Sequence, residues 1–332
     1  MPLGMKYFFE ANPNIEVVIF AGKGGLGKTT SSAALSYHFS QRMGKKVLCF
    51  STDPQASLSD IFMRDLYGKG VQELKENLFV VEIDADKKIK EYQEEIKQKI
   101  IDMYKLDKLP KEIEDYIDAA SAEPAMYESA TYDAMADLVA KKEYDLYVFD
   151  MPPFGHGVRM VAMAEILTAW VEKITQTRKE AEEYEAVAAA LRGGKMESED
   201  LIMNELMDIQ KKMKAFTDLL TDEKKTAFFM VMIPEKMAIL DTERALEMFE
   251  ALGIKMSGIV VNQVYPRSLL DDPNTPEFLK NRVEMQTKYL NEIKEKFGNY
   301  VVAILPMYDR EPKGFEMLEI VSKDLWESPM SL

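Results

Sequence analysis

The run Val17-Val18-Ile19-Phe20-Ala21-Gly22-Lys23-Gly24-Gly25-Leu26-Gly27-Lys28-Thr29-Thr30 leaves this chain few folds to choose from. An apolar stretch rich in β-branched residues reads as a buried strand. Ser31-Ser32-Ala33-Ala34-Leu35 continues as a helix. Between them, Gly22-x-x-x-x-Gly27-Lys28-Thr29 has the spacing of a phosphate-binding loop. Glycines there let backbone N–H groups converge on phosphate oxygens, and the helix start adds a positive dipole at the same point. The expected cradle is Gly22, Lys23, Gly24, Gly25, Leu26, Gly27, Lys28, Thr29 and Thr30. Lys28 is expected to reach the β- and γ-phosphates, and Thr29 to ligate Mg²⁺. Lys23 is a second cation inside the loop, placed to reach a nucleotide on a neighbouring subunit or to stand solvated at the loop tip.

The chain has 332 residues and a formal net charge of -15, which argues against a nucleic-acid partner. Cys49 is the one cysteine, so neither an internal disulfide nor a multi-thiolate metal site can be built within one chain. Residues 1–14 do not resemble a signal peptide, and no apolar run reaches the roughly 20 residues that span a bilayer. A soluble, cytoplasmic protein is expected.

Strands are expected at Glu16–Phe20, Lys46–Phe50, Phe79–Ile83, Asp145–Phe149, Ala227–Met232, Ser257–Val261 and Tyr300–Ile304. Most are continuous apolar runs, the pattern of strands covered on both faces. Helical segments separate them, which predicts an α/β fold: a doubly wound, mostly parallel sheet in a single domain over 1–332. Two charged or methionine-bearing helical stretches, 84–140 and 159–225, interrupt the alternation and read as an inserted helical subdomain. Ile89, Tyr92, Ile96, Ile100 and Met103 mark an apolar face in the first. Met160, Met163, Leu167, Trp170 and Ile174, then Ile202, Leu206, Ile209, Met213, Phe216 and Leu220, mark faces in the second. Such faces suit either interior packing or a groove for an apolar helix. The segment Phe315–Trp326 is also amphipathic, but it lacks the basic face of a membrane-surface helix.

Each candidate functional segment directly follows a strand. Ser51-Thr52-Asp53-Pro54 follows the second, and Asp53 is expected to orient the water that attacks the γ-phosphate; the alternative is that Asp53 caps the next helix, a role that suits Asp60 better. Asp150 ends the strand Asp145–Phe149, where an acid approaches Mg²⁺, so Thr29, Asp53 and Asp150 are the candidate Mg²⁺ residues. Met151-Pro152-Pro153-Phe154-Gly155-His156-Gly157 then leads into the methionine-bearing helix, as a γ-phosphate-dependent switch would. His156 reads as a hydrogen-bonding residue of that loop rather than a base. Asn262 ends the strand Ser257–Val261, and its amide offers a donor and an acceptor that match the adenine edge. The guanine-reading pattern Asn-Lys-x-Asp is absent there, which favours ATP.

Together these residues resemble the ArsA-type ATPase family of the deviant Walker A class, which contains arsenite pump-driving ATPases and the Get-pathway targeting ATPase for tail-anchored membrane proteins. The loop Gly22–Thr30 is similar to the family loop almost letter for letter. Ser51-Thr52-Asp53-Pro54 with Leu58-Ser59-Asp60 resembles switch I, and Asp150 through Arg159 resembles switch II. Thr242-Glu243-Arg244, Val261-Asn262-Gln263, Leu305-Pro306 and Lys313-Gly314 also match. The resemblance implies a Mg²⁺-dependent, ATP-hydrolysing homodimer in which Lys23 contacts nucleotide across the interface, Asp53 positions water, and Asn262 and Pro306 hold adenine. Gln55-Ala56-Ser57 and Met151-Pro152-Pro153-Phe154 depart from the family's switch sequences. The Cys-x-x-Cys of a zinc clasp is absent, so a dimer is expected to close without zinc. The expected function is nucleotide-driven closure coupled to a hydrophobic helical client or a membrane-protein partner, as in tail-anchored protein targeting. The alternatives are an arsenite or anion efflux pump-driving subunit, and a spatial-positioning or cofactor-assembly ATPase.

Overall fold

The computed structural model describes residues 3–52, 57–104, 107–111, 114–115, 118, 124–151, 176, 211–212, 214–251 and 253–330. The strands are β1 (Val17–Ala21), β2 (Val47–Ser51), β3 (Gln72–Lys75), β4 (Leu78–Glu82), β5 (Leu146–Asp150), β6 (Thr226–Met232), β7 (Met256–Val264) and β8 (Val301–Pro306). The helices are α1 (Met5–Ala11), α2 (Lys28–Gln41), α3 (Ser57–Phe62), α4 (Ala85–Tyr104), α5 (Pro124–Ala140), α6 (Lys236–Ala251), α7 (Glu277–Phe297) and α8 (Gly314–Glu327).

All eight strands form one sheet in the order β3-β4-β2-β5-β1-β6-β7-β8. Every pairing is parallel except β3–β4. This is the α/β architecture that the alternation of elements implies. Strands β1, β2, β5 and β6 are buried at every position, as sheets covered on both faces require. The apolar runs therefore located seven strands to within a few residues. They missed β3, a polar edge strand. It turns back onto β4 through Glu76-Asn77, with Asn77 in the left-handed region at φ +61°.

The described residues fall into two compact units. One is drawn from Met1–Asp84, Lys142–Val158 and Leu220–Leu332, and holds the whole sheet; the other is drawn from Ala85–Lys141 and Arg159–Leu219. In the sheet unit, α2 is buried along nearly its whole length. Its serines tolerate this because their hydroxyls donate to the carbonyls of the preceding turn: Ser31 to Gly27, Ser32 to Lys28 and Ser36 to Ser32. The apolar face of α8 (Met317, Leu318, Val321, Leu325) is buried too. Trp326 stacks on His38 of α2 at 4.1 Å and on Phe9 of α1 at 5.9 Å. That packing accounts for the amphipathic pattern of Phe315–Trp326.

In the helical unit, Tyr132 of α5 meets Phe216 edge-on at 4.9 Å and shares a hydrogen bond with the Thr217 hydroxyl at 2.9 Å. Phe216 is buried, and so is Leu220 of the sheet unit. Ile89 is half-buried. Residues Met160 to Ile209 of the two methionine-bearing faces, and Met213, lie outside the described residues, as do the side chains of Tyr92, Ile96, Ile100 and Met103. Among the described residues no helix is long and apolar enough to cross a membrane.

Candidate functional site

The sheet brings the sequence motifs together by register. Phe20 of β1, Asp150 of β5 and Ser51 of β2 stand in one rung. The phosphate loop begins two residues beyond Phe20, so it opens beside Asp150. The later strands β6, β7 and β8 lie on the other side of β1. That reversal of strand order at β1 is where open α/β sheets place their ligands.

Gly22 turns the chain sharply at φ +146° with its α-carbon against β6: a Cβ built there would lie 2.5 Å from the Val231 carbonyl oxygen. Gly27 sits at φ +100° immediately before α2 and supplies no side-chain cap, so no side chain stands over the helix start where phosphate is expected. Lys28 is 5% exposed and its Nζ donates to the Lys23 carbonyl across the loop at 3.2 Å. The Thr29 hydroxyl donates to Asp150 Oδ2 at 2.8 Å, and the Ser51 hydroxyl donates to the same oxygen at 3.2 Å. A hydroxyl and a carboxylate at hydrogen-bond distance, with only oxygen donors, are the set that a hard divalent cation such as Mg²⁺ takes. With a buried lysine in a glycine loop beside them, these residues fit Mg·ATP.

Lys23 points elsewhere. Its Nζ lies 3.6 Å from Asp241 Oδ2 on α6, and the lysine side chain is more than half exposed. Asp53 lies outside the described residues, as do His156 and the rest of the expected switch II beyond Met151. Both flanks of the Asp53 segment are described. Ser51 and Thr52 are buried at the end of β2, and α3 starts at Ser57.

The first turn of α3 is held by a residue that the sequence reading missed. Glu82, the buried last residue of β4, accepts hydrogen bonds from the Leu58 N–H at 2.8 Å and the Ser59 N–H at 3.2 Å, and from the Ser59 hydroxyl. A carboxylate at a helix N-terminus satisfies orphan donors and opposes the positive dipole end. Asp60, expected as the cap, instead lies inside the first turn of α3 and pairs with Lys313 at 2.9 Å. The reason is geometric: parallel pairing of β2 and β4 brings Glu82 opposite Ser51, so its carboxylate reaches the helix start first. The one available signal was an acid set within the otherwise apolar run Leu78–Ile83.

Asn262 and Pro306 come to neighbouring strand ends, with Pro306 in register with Val264. The Asn262 amide donates to the Leu26 carbonyl at 2.9 Å, and its Oδ1 accepts from the Gln263 N–H at 2.9 Å. Cys49 is fully buried in β2, and burial pushes its thiol up to about 12, far from a thiolate at neutral pH.

A family model described as anion-transporting ATPase matches residues 15–327. A putative arsenical pump-driving ATPase 2 of Aquifex aeolicus is 32% identical over 313 residues, covering 94% of this chain and 99% of the relative. An ATPase ASNA1 homolog 2 of Paramecium tetraurelia is 29% identical, covering 93% and 92%. An ATPase ASNA1 homolog of Dictyostelium discoideum is 27% identical, covering 95% and 93%.

Proposed function

The chain belongs to the anion-transporting, or ArsA-type, ATPase family, and from that premise we propose that it is a homodimeric targeting ATPase whose nucleotide cycle opens and closes a site for a hydrophobic helical client. Its activity is the hydrolysis of ATP with Mg²⁺. The cation, when bound, neutralises charge that develops on the phosphoryl oxygens. Thr29 and Asp150 are the residues that would hold it. Lys28 and the N–H groups at the start of α2 bind the phosphate chain and keep it fixed. Asp53, two residues after β2 along the sequence, is assigned the role of orienting the attacking water in line with the γ-phosphate. Asn262 and the segment at Pro306 are assigned to the base.

The observation that favours a protein client over a metalloid is the state of the thiols. Trivalent arsenic is soft and is captured by thiolates. The chain has one cysteine, and it is buried with its thiol pushed up to about 12. The sequence of residues 159–225 spaces methionines and other apolar residues at helical intervals, the adaptable chemistry that varied helical clients need. Two relatives are named as ASNA1 homologs, while another is named a putative arsenical pump-driving ATPase.

The deciding experiment incubates the protein with a tail-anchored transmembrane segment in Mg·ATP and follows both by size exclusion. Co-elution of a dimer with the segment, lost in ADP, is the expected result. A protein that remains monomeric and client-free, yet turns over faster with arsenite even as Cys49→Ser, would move the assignment to the pump-driving reading. Within the catalytic step, Asp53→Asn is expected to keep nucleotide binding and lose turnover.

A further inference from the structure

The end of β7 is built to hold one side chain against the phosphate loop. The strand runs past Asn262 to Val264, and its pairing with β8 slips between Val261 and Val264. Inside that slip Gln263 adopts the left-handed region at φ +58°, unusual for a residue with a side chain. Gln286 of α7 clamps it: its Nε2 donates to the Gln263 carbonyl at 2.9 Å, and its Oε1 accepts from the Tyr265 N–H at 2.9 Å. Gln286 is buried, so these bonds are not readily exchanged for water. The result is that Asn262, itself buried, has its Oδ1 fixed by the Gln263 N–H and its amide nitrogen aimed at the Leu26 carbonyl.

The approach is close. A Cβ built on Gly27 would stand 2.1 Å from Asn262 Nδ2. Glycine at 27 is therefore required twice, by its φ of +100° and by the amide beside it. One carboxamide hydrogen is spent on Leu26, and the other remains for a ligand group.

We propose that Asn262 is a positioning residue of the phosphate loop, fixing Leu26 and Gly27 in the geometry that receives phosphate, in addition to any contact with the base. The inference deepens the reading of this loop as the ATP site and rests on it. It makes β7 a mechanical link: what presses on Asn262 from the base side is felt at the carbonyl of Leu26, one peptide before the start of α2.

The test compares a nucleotide with a ligand that has no base. Asn262→Ala is titrated with ADP and with inorganic pyrophosphate, each with Mg²⁺, by calorimetry. Losing one neutral amide hydrogen bond is expected to weaken both ligands, pyrophosphate by about fivefold. A loss confined to ADP, with pyrophosphate unchanged, would mean that Asn262 serves the base alone and would overturn the proposal. Amide hydrogen exchange in the ligand-free protein provides an independent measurement. Peptides spanning residues 22–28 are expected to exchange faster in Asn262→Ala while those of β1 and β5 do not; equal exchange in the two proteins also overturns it. Gln286→Leu, which leaves Asn262 in place, is expected to shift both readouts in the same direction and by less. Wild-type protein that binds neither ligand would instead refute the reading of the loop, and the exchange comparison still decides the role of Asn262.

Discussion

The two ends of the same sheet are made from the same strands and do opposite work. At the amino ends the chain ties itself off. The Glu16 and Val17 N–H groups both donate to the Lys225 carbonyl, and Lys46 and Asp145 exchange backbone and side-chain bonds at 2.8 Å. Lys225 pairs with Glu16 at 3.3 Å. The open depression there mixes Glu16, Asp145 and Asp222 with Lys45, Lys224 and Lys225, so the charges answer one another. At the carboxyl ends, by contrast, glycines stand where side chains would obstruct, a lysine is buried in a loop, and a hydroxyl and a carboxylate meet at 2.8 Å. A helix starts there without a side-chain cap. One end pairs opposite charges with one another. The other gathers a buried lysine, hydroxyls and a carboxylate around a glycine loop, where the bonds they make to each other are ones a ligand can replace.

The sharpest way to break this contrast is Lys28→Ala. Removing the buried cation assigned to the phosphates is expected to weaken ATP binding by about a hundredfold or more, measured with a fluorescent nucleotide. Unchanged affinity would leave the carboxyl end with no more claim to the nucleotide than the amino end.

Glu82→Gln comes next. It keeps the shape of the cap and removes its charge, leaving the α3 N–H groups with a weaker acceptor. A loss of about 1–3 kcal/mol in urea unfolding is expected, with reduced turnover because α3 follows directly on the Asp53 segment. A change in stability alone would place Glu82 with the scaffold rather than the site.

His38 sharpens the contrast from the other end of α2. Burial, with help from the Arg42 charge, lowers its pKa from 6.5 to about 4. The folded state therefore binds fewer protons than the unfolded chain between those values. The stability contributed by the neutral ring is complete above pH 6.5 and is lost as the pH falls towards 4. Each unit of difference corresponds to about 1.4 kcal/mol. Denaturation curves at pH 7.5 and 5 are expected to differ less in His38→Phe than in the wild type, with the ATP affinity of that variant unchanged at pH 7.5.

The smallest effect is expected at the amino ends. Lys225→Ala removes an exposed ion pair and is expected to cost less than about 1 kcal/mol and leave turnover unchanged. A fall in kcat there would show that the two ends are not independent.

Much of this architecture is legible in the order of residues alone. The apolar runs revealed the strands because both faces of a parallel sheet must be covered, and β3 escaped because an edge strand carries no such obligation. The phosphate loop was legible because its requirements are local. Positive φ at glycine, a lysine, a hydroxyl and a helix start must follow one another in the chain to work together. Asp150 was legible by position, as the acid that ends a buried run.

The contacts that hold the site in place are of another kind. Glu82 reaches Leu58 across 24 residues, Thr29 reaches Asp150 across 121, and Asn262 reaches Leu26 across 236. No local pattern encodes them, and so Asp60 read as the helix cap while Glu82 passed unnoticed. Residues close along the chain were enough to specify the glycine loop, the strand-helix alternation and the oxygen-bearing side chains expected at the site, because backbone propensity and burial act over a few residues. Strand order and register decided which acid meets which hydroxyl and which amide braces the loop. Those choices depend on the packing of distant segments, which exists only once the sheet has formed.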